Sequence, residues 1–297
     1  MYLSENWSEL LQPGLRKVFD GGFREFTSSL PVLFSMQSSK KAQEFDLTTD
    51  DKSSWEAKNG DIRFEDEVQG YKTTYTHTEF VSGKKFERTL LMDDQYGVVE
   101  KRTRLMARGA RLRRERDGAG VFNNAFNAAV TYGDGQPLCS ASHPSKNDTS
   151  LTRSNTGVLS LTDANVETTR RLMIKQKTGT GEPVFAQPDM LIVPIELERQ
   201  AWELLNSKGR VETANNNSNF HVGKYKLLVW PNFLTSSKRW WMVDSTLMKE
   251  FLLWFDREDV QFFKDRDLGT LVAAFAGYMR YTQGSSDFIW CFGQNPA

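Results

Sequence analysis

The sequence predicts an α+β fold, on three observations. Apolar residues recur at helical spacing over 96–130 and 162–177, while 75–94 is rich in Thr, Phe, Tyr and Val, and Met190–Val193 and Trp240–Val243 are short apolar runs. No internal repeat and no regular strand-helix-strand alternation is present, which excludes a parallel βαβ series. Of 297 residues, 39% are hydrophobic and 12% aromatic, enough apolar area to fill a core or to cover surfaces between copies.

At the N-terminus, Trp7, Leu10 and Leu11 form one apolar patch; beyond Pro13-Gly14, residues Leu15, Val18, Phe19, Phe23 and Phe26 fall close to helical spacing. Short amphipathic helices are expected, ended by Pro31 and the Ser-rich SMQSSKK. Two readings stay open: an arm that leaves the body and docks elsewhere, or a helix packed on its own core. Segment 44–67 carries nine acids against three bases, a net −6, with few apolar anchors and Asn59-Gly60 as a turn signal. It reads as an extended hairpin with too little apolar surface to stand alone. Strand structure follows over 75–94, with Ser82-Gly83 as a break.

The best long-helix candidate is 96–130, with Val98, Leu105 and Leu112, then Phe122, Ala125, Phe126 and Ala129, on one stripe. Gly109, Gly118 and Gly120 weaken it, and DGAG is a candidate bend. Between 101 and 116 it holds eight bases and one acid, a net +7 beside the net −6 of the hairpin. A Gly, Ser, Asn and Pro-rich loop covers 133–157. Thr162 then caps a helix, with Leu161 and Val166 as a hydrophobic staple, Asp163 in the first turn, and Arg170, Arg171, Lys175 and Lys177 toward the C-terminal end. Met190–Val193 is a buried strand, ended by Pro194 before a helix bearing Leu197, Ala201, Leu204 and Leu205. Strands follow at 225–230 and Trp240–Val243, and the tail carries FLLWFDREDVQFFKD and DFIWCFG around an apolar AAFAGYMRY.

Charge and cysteine content narrow the function. With 38 Lys+Arg against 38 Asp+Glu the chain is formally neutral, unlike a protein whose main task is to hold free nucleic acid or an anionic membrane. Near-zero net charge favours association, which suits a protein meant to assemble. Cys139 and Cys291 are far apart in sequence and form no disulfide framework, so the chain reads as made in a reducing compartment. No basic region followed by an apolar core opens it and no membrane-length apolar run is present.

No GxxxxGK[ST], HExxH or GxSxG is present, nor a GxGxxG leading from strand to helix, so no enzymatic activity, cofactor or metal is expected. TGTGEP at 178–183 follows a helix and precedes a proline, and reads as a surface turn. Cys139 and His143 form a CxxxH pair, but metal sites need three or four ligands and His77 and His221 are distant. Asp256, Glu258 and Asp259 lie on a strand-like run, where alternate residues face opposite ways, which favours an exposed or subunit-facing edge over a carboxylate site. The helix at 101–116 admits two readings. A DNA-binding module would use its bases on phosphates. The preferred reading pairs them with acidic surface, because the compensating acids lie next door and no aromatics for base stacking are interleaved. Candidate intersubunit charges are Asp50, Asp51, Glu65 and Asp66 against Arg104, Arg108, Arg111, Arg113 and Arg114.

The order of these parts resembles the major head (capsid) proteins of tailed bacteriophages with the HK97-type fold, in particular the group similar to the major head subunit of phage Mu. The resemblance is carried by PGLRKVFDGGFREF, GYKTTYTHTEFVSGKKFERTLLMDDQYG, GVFNNAFN, PLCSASHPS, LTDANVETTRRLMIKQKTGTGEPVFAQPDMLIVPIELERQAWELLNS and FAGYMRYTQGSSDFIWCFGQNP, in that order. It implies an N-terminal arm over 1–43, an E-loop over 44–74 and a peripheral domain over 75–155 with a spine helix about 96–130. It further implies an axial domain over 156–244 and a return to the peripheral domain over 245–297. The implied function is structural. Copies self-assemble into hexamers and pentamers of an icosahedral shell around double-stranded DNA, in the virion, after assembly in the host cytoplasm. Implied partners are further copies of the chain, a portal protein and a separate scaffolding protein, since the chain is too short before its arm to carry a scaffolding segment; a decoration protein is left open. One relative joins subunits by a Lys to Asn isopeptide bond, and no motif ties Lys52, Lys58 or Asn295 to that role, so no catalytic residue is carried over.

Overall fold

Leu15 and Phe19 are buried one helical turn apart, on a helix, α1 (Trp7–Arg24), that runs through Pro13-Gly14 instead of stopping there. The computed structural model describes residues 7–24, 27–49, 69–87, 89, 97–146, 148, 150–209, 218–267 and 272–297. The sequence expectation of separate short helices is thereby corrected: burial of the Leu15 and Phe19 face against the body outweighs the local proline signal. A four-residue turn, α2 (Leu30–Leu33), leads into β1 (Ser35–Ser38). Two strands, β2 (Gln43–Thr49) and β3 (Gln69–Thr76), pair antiparallel as the arms of a hairpin. The Asn59-Gly60 turn and the acids Asp50, Asp51, Glu65 and Asp66 lie outside the described residues. His77 alone separates β3 from β4 (Thr78–Glu87).

The long helix α3 (Val98–Asn123) is shorter than the 96–130 expected, ending where the Asn124 N–H bonds back to the carbonyls of Gly120 and Phe122. It runs unbroken through DGAG. Its buried face carries Val99, Thr103, Met106, Ala107, Arg114, Gly118, Val121 and Phe122, while Leu105 and Leu112 are exposed. Small residues define that face because α1 and a sheet press against it. Beside Gly118, a Cβ would lie 2.3 Å from Leu30 Cδ2, so this glycine is a point of close approach, not a bend.

Short strands β5 (His143–Pro144), β6 (Thr152–Arg153) and β7 (Thr156–Gly157) cross the loop region. Helix α4 (Asp163–Ile174) begins as its sequence demands: Thr162 Oγ1 accepts from Asn165 N at 3.3 Å, and Leu161 and Val166 are buried in one cluster. Then come β8 (Met190–Val193), a single 3-10 turn after Pro194, α5 (Glu198–Asn206), β9 (Lys226–Val229), β10 (Trp240–Val243) and α6 (Ser245–Phe251). The tail forms two long strands, β11 (Leu252–Asp267) and β12 (Val272–Ser285), and ends in β13 (Cys291–Gln294).

Two sheets result. One has the order β1-β11-β12-β4, with α1 and α3 beside it; the other runs β7-β13-β10-β8-β9. The five-stranded sheet is buried on both faces, which explains its continuous apolar runs. Trp241, Val243, Met190, Ile192 and Cys291 face a core shared with α3 and the four-stranded sheet; Trp240, Met242, Leu191, Val193 and Phe292 face a second core with α4 and α5. Phe122 joins the units, with ring centroids 5.6 Å from Trp241, 6.1 Å from Trp290 and 6.2 Å from Trp230. Each such buried aromatic contributes about 1.5–3 kcal/mol of transfer free energy. Because β13 pairs with β10, a boundary at 245 would cut through this sheet.

Candidate functional site

The hairpin and the basic helix are the two charged features that the sequence singles out, and the fold puts both around the four-stranded sheet. The hairpin is held at both ends of its described strands. Tyr75 is buried with its ring centroid 5.2 Å from that of Phe255, Lys146 Nζ donates to the Gly70 carbonyl at 2.8 Å, and Thr48 Oγ1 both accepts from Tyr71 N and donates to Tyr71 O. Between these points it presents apolar surface: Phe45, opposite Thr74, is 60% exposed, with Lys72 Nζ 4.5 Å from its ring centroid.

On α3 the arginines differ sharply. Arg114 is buried, its guanidinium 5.0 and 5.3 Å from the ring centroids of the stacked pair Trp254 and Tyr281, donating to Asp256 Oδ2 at 2.8 Å. Arg113 Nε donates to Asp117 Oδ2 at 2.8 Å, which raises its pKa, and Tyr281 donates its hydroxyl to the same oxygen. Arg111 lies 3.8 Å from Glu115 and over the Phe23 ring; its burial lowers its pKa. Arg108 is half-buried, and Arg104 is exposed, close to Gly22 of α1. Arg111, Arg113 and Arg114 therefore spend their charge inside their own chain, leaving Lys101, Arg102 and Arg104 as the exposed bases of the first half.

Beside those bases lies a groove of about 720 Å³ between α3, β4 and β12. Phe80, Leu105, Met106 and Met279 give it apolar walls, and Lys84, Arg102 and Arg113 border it. Glu79 is the one acid among its described lining residues.

The other sequence candidates resolve into structure. Asp256 accepts from Arg114 and, at 3.0 Å, from Trp254 Nε1; Asp259 is 84% exposed at its side chain, and the register of β11 shifts between Asp256 and Gln261. No shared carboxylate site forms from them. Cys139 Sγ lies 3.9 Å from Cys291 Sγ, whereas His143 faces Asp134 through Nδ1 and Asn155 through Nε2 and stacks on Phe288, so the CxxxH pair is split. Among the described residues no group of three or more His, Cys, Asp or Glu is arranged to hold a metal. TGTGEP is a turn, with Thr178 N donating to the Glu182 carbonyl. Sequence reasoning missed Glu115, which accepts from Ser28 Oγ at 2.5 Å and from Trp230 Nε1 at 3.1 Å and so ties α3 to both neighbouring segments. It is the one acid in a basic run, a signal visible only in retrospect.

The family model described as phage capsid protein matches residues 70–288, which include α3 and most of both sheets. No curated protein matches the sequence. Among solved structures, the capsid of cyanophage P-SCSP1u is similar with a TM-score of 0.60 at 10% identity, covering 91% of this chain and 88% of that one. Microbacterium phage Oxtober96 gives 0.59 at 9% identity, covering 92% of each chain. The procapsid of bacteriophage JBD30 gives 0.57 at 13% identity, covering 99% of this chain and 77% of that one. At these identities the likeness is one of fold, the HK97-type fold.

Proposed function

The chain belongs to the phage capsid protein family, and from that premise we propose that its copies build the hexamers and pentamers of an icosahedral head around double-stranded DNA. The family match over 70–288 carries this reading. The protein is then a structural subunit whose work is assembly. In domain terms, 1–43 with α1 corresponds to the N-terminal arm, 44–74 to the E-loop, and α3 with β4, β11 and β12 to the peripheral domain with its spine helix. The five-stranded sheet with α4 and α5 corresponds to the axial domain, to which β13 adds a strand from beyond residue 244. The same reading calls for a scaffolding protein and a portal protein as partners.

The acids of the E-loop of one copy are proposed to meet basic surface on the next. The groove beside α3 supports this: it offers Lys84 and Arg102 for the acids and apolar walls for Trp55, Ile62 and Phe64 of the same segment. Arg104 and Arg108 are the proposed partners farther along the helix. Interfaces of the obligate class bury upwards of ~2,000 Å² and are core-like, so apolar anchors and charges are both expected in them. Negative-stain electron microscopy of the purified protein tests the assembly reading. Shells, tubes or capsomer rings are expected; a protein that stays monomeric across concentration and salt would overturn it.

A further inference from the structure

We propose that His77 is a proton-sensitive latch at the base of the β2–β3 hairpin: a second proton on its ring releases β2 and β3 from the four-stranded sheet and leaves the rest of the fold closed. His77 is the single residue between β3 and β4, so it sits where the hairpin leaves the sheet, and it is 7% exposed.

The hydrogen bonds define its state. Ser39 Oγ lies 2.8 Å from Glu44 Oε1 on β2 and 3.0 Å from His77 Nε2. The carboxylate only accepts, so the single hydroxyl proton of Ser39 goes to Glu44 and Ser39 must accept from His77 Nε2–H. The relay His77 to Ser39 to Glu44 thus links the end of β3 to the start of β2 and requires the Nε2–H tautomer. Ser39 is itself tied to β11, its N–H donating to the Asp256 carbonyl at 2.9 Å and its carbonyl accepting from Arg257. The remaining ring nitrogen, Nδ1, is buried without a hydrogen-bond partner. A proton placed there is an N–H with no acceptor, inside a low-dielectric site.

The charges around the ring oppose that proton on balance. Burial is the largest cause that lowers the pKa of His77, followed by Arg280 on β12; Glu44 raises it, Arg257 lowers it and Asp256 raises it. Glu79 of β4 lies 3.6 Å from Arg280, and Lys41 lies 3.3 Å from Glu44, so the nearby carboxylates are partly neutralised. The folded ring is neutral, and an opened hairpin returns it to the ordinary histidine value of about 6.5. The opened state therefore binds more protons below that value. The latch is fully effective above about pH 6.5 and weakens as pH falls through it. If the hairpin reaches a neighbouring subunit, as proposed above, acid would free its angle; that consequence rests on the assembly reading, whereas the latch itself does not.

The test is amide hydrogen exchange on the unassembled full-length chain at about pH 7.5 and about pH 5.5, corrected for intrinsic rates. Peptides covering β2 and β3 are expected to exchange roughly fivefold faster at the lower pH, with β8 and β10 unchanged. His77→Gln keeps a side-chain donor for Ser39 and does not titrate, so it is expected to abolish that difference. His221, also buried with a lowered pKa, lies beside α4, and its own acid response is expected around 163–174 in both proteins. Equal acid loosening of both sheets, or a pH response of β2 and β3 that survives in His77→Gln, overturns the proposal. Should that variant fail to fold, histidine ring NMR of the wild type decides: titration of His77 concerted with hairpin opening supports the latch, and titration without opening overturns it. Neither readout involves particles, so failure to form shells leaves the latch standing.

Discussion

Arg114 carries a full charge into the interior and meets two aromatic rings and the Asp256 carboxylate there, with the exposed Asp259 carboxylate 3.9 Å away. Its removal leaves Asp256 facing a vacated site, so the cost exceeds the value of the contact. Arg114→Met is expected to lower stability by about 2–3 kcal/mol, less than for a fully buried pair because Asp256 is partly exposed. Arg114→Met combined with Asp256→Asn is expected to recover part of that loss. Urea denaturation checks both, and an unchanged midpoint for the single variant would count against a structural role. Nothing in the sequence separates Arg114 from its neighbours Arg113 and Arg116, because burial of one among eight bases is decided by where Trp254 and Tyr281 arrive from the far end of the chain. His77 was equally illegible. A histidine between two threonines carries no local signal, and its meaning comes from Ser39, just beyond β1, and Glu44 on β2.

Elements differ in how far their sequences determine them. In α4 every cue is local: Thr162, Leu161 and Val166 lie within one turn of the start, and the helix begins as they require. In α3 the existence of the helix was legible and its buried face was not. Leu105 and Leu112 suggested one stripe, but the packing of α1 and the sheet selects Thr103, Ala107 and Gly118 instead. The helix glycines make this testable, because their expected effects have opposite signs. Gly118→Val puts side-chain atoms into Leu30, Phe34 and Trp230 and is expected to cost about 1–3 kcal/mol. Gly120→Ala, with nothing within 4 Å of its new Cβ, is expected to stabilise by up to about 1 kcal/mol through helix propensity. Thermal unfolding of the two variants distinguishes them, and the same sign for both would refute this account of the DGAG stretch.

For the whole molecule, neutrality is the sum of unlike parts, and the structure divides the positive part again. Arg111, Arg113 and Arg114 are balanced by Glu115, Asp117 and Asp256 of their own chain, so the acids of 44–67 have fewer bases left to meet than the sequence count suggests. Reversing Asp50, Asp51, Glu65 and Asp66 together to Lys is expected to reduce particle yield severalfold at low salt, with the soluble subunit still folded. Sedimentation across a salt series measures it; unchanged yield and salt tolerance would sink the charge-pairing reading. Heterologous contacts close into rings only at the right rotation, so open sheets or tubes are the expected defective products.

The position of β13 has a temporal consequence. Strand β7 at Thr156–Gly157 and strand β10 at Trp240–Val243 are bridged by residues 291–294, so the five-stranded layer cannot be completed while translation is still short of them. A nascent chain can form α4, β8 and β9 early, yet their sheet keeps an unsatisfied edge until synthesis has passed residue 294. Products truncated before residue 291 therefore lack a finished version of this unit.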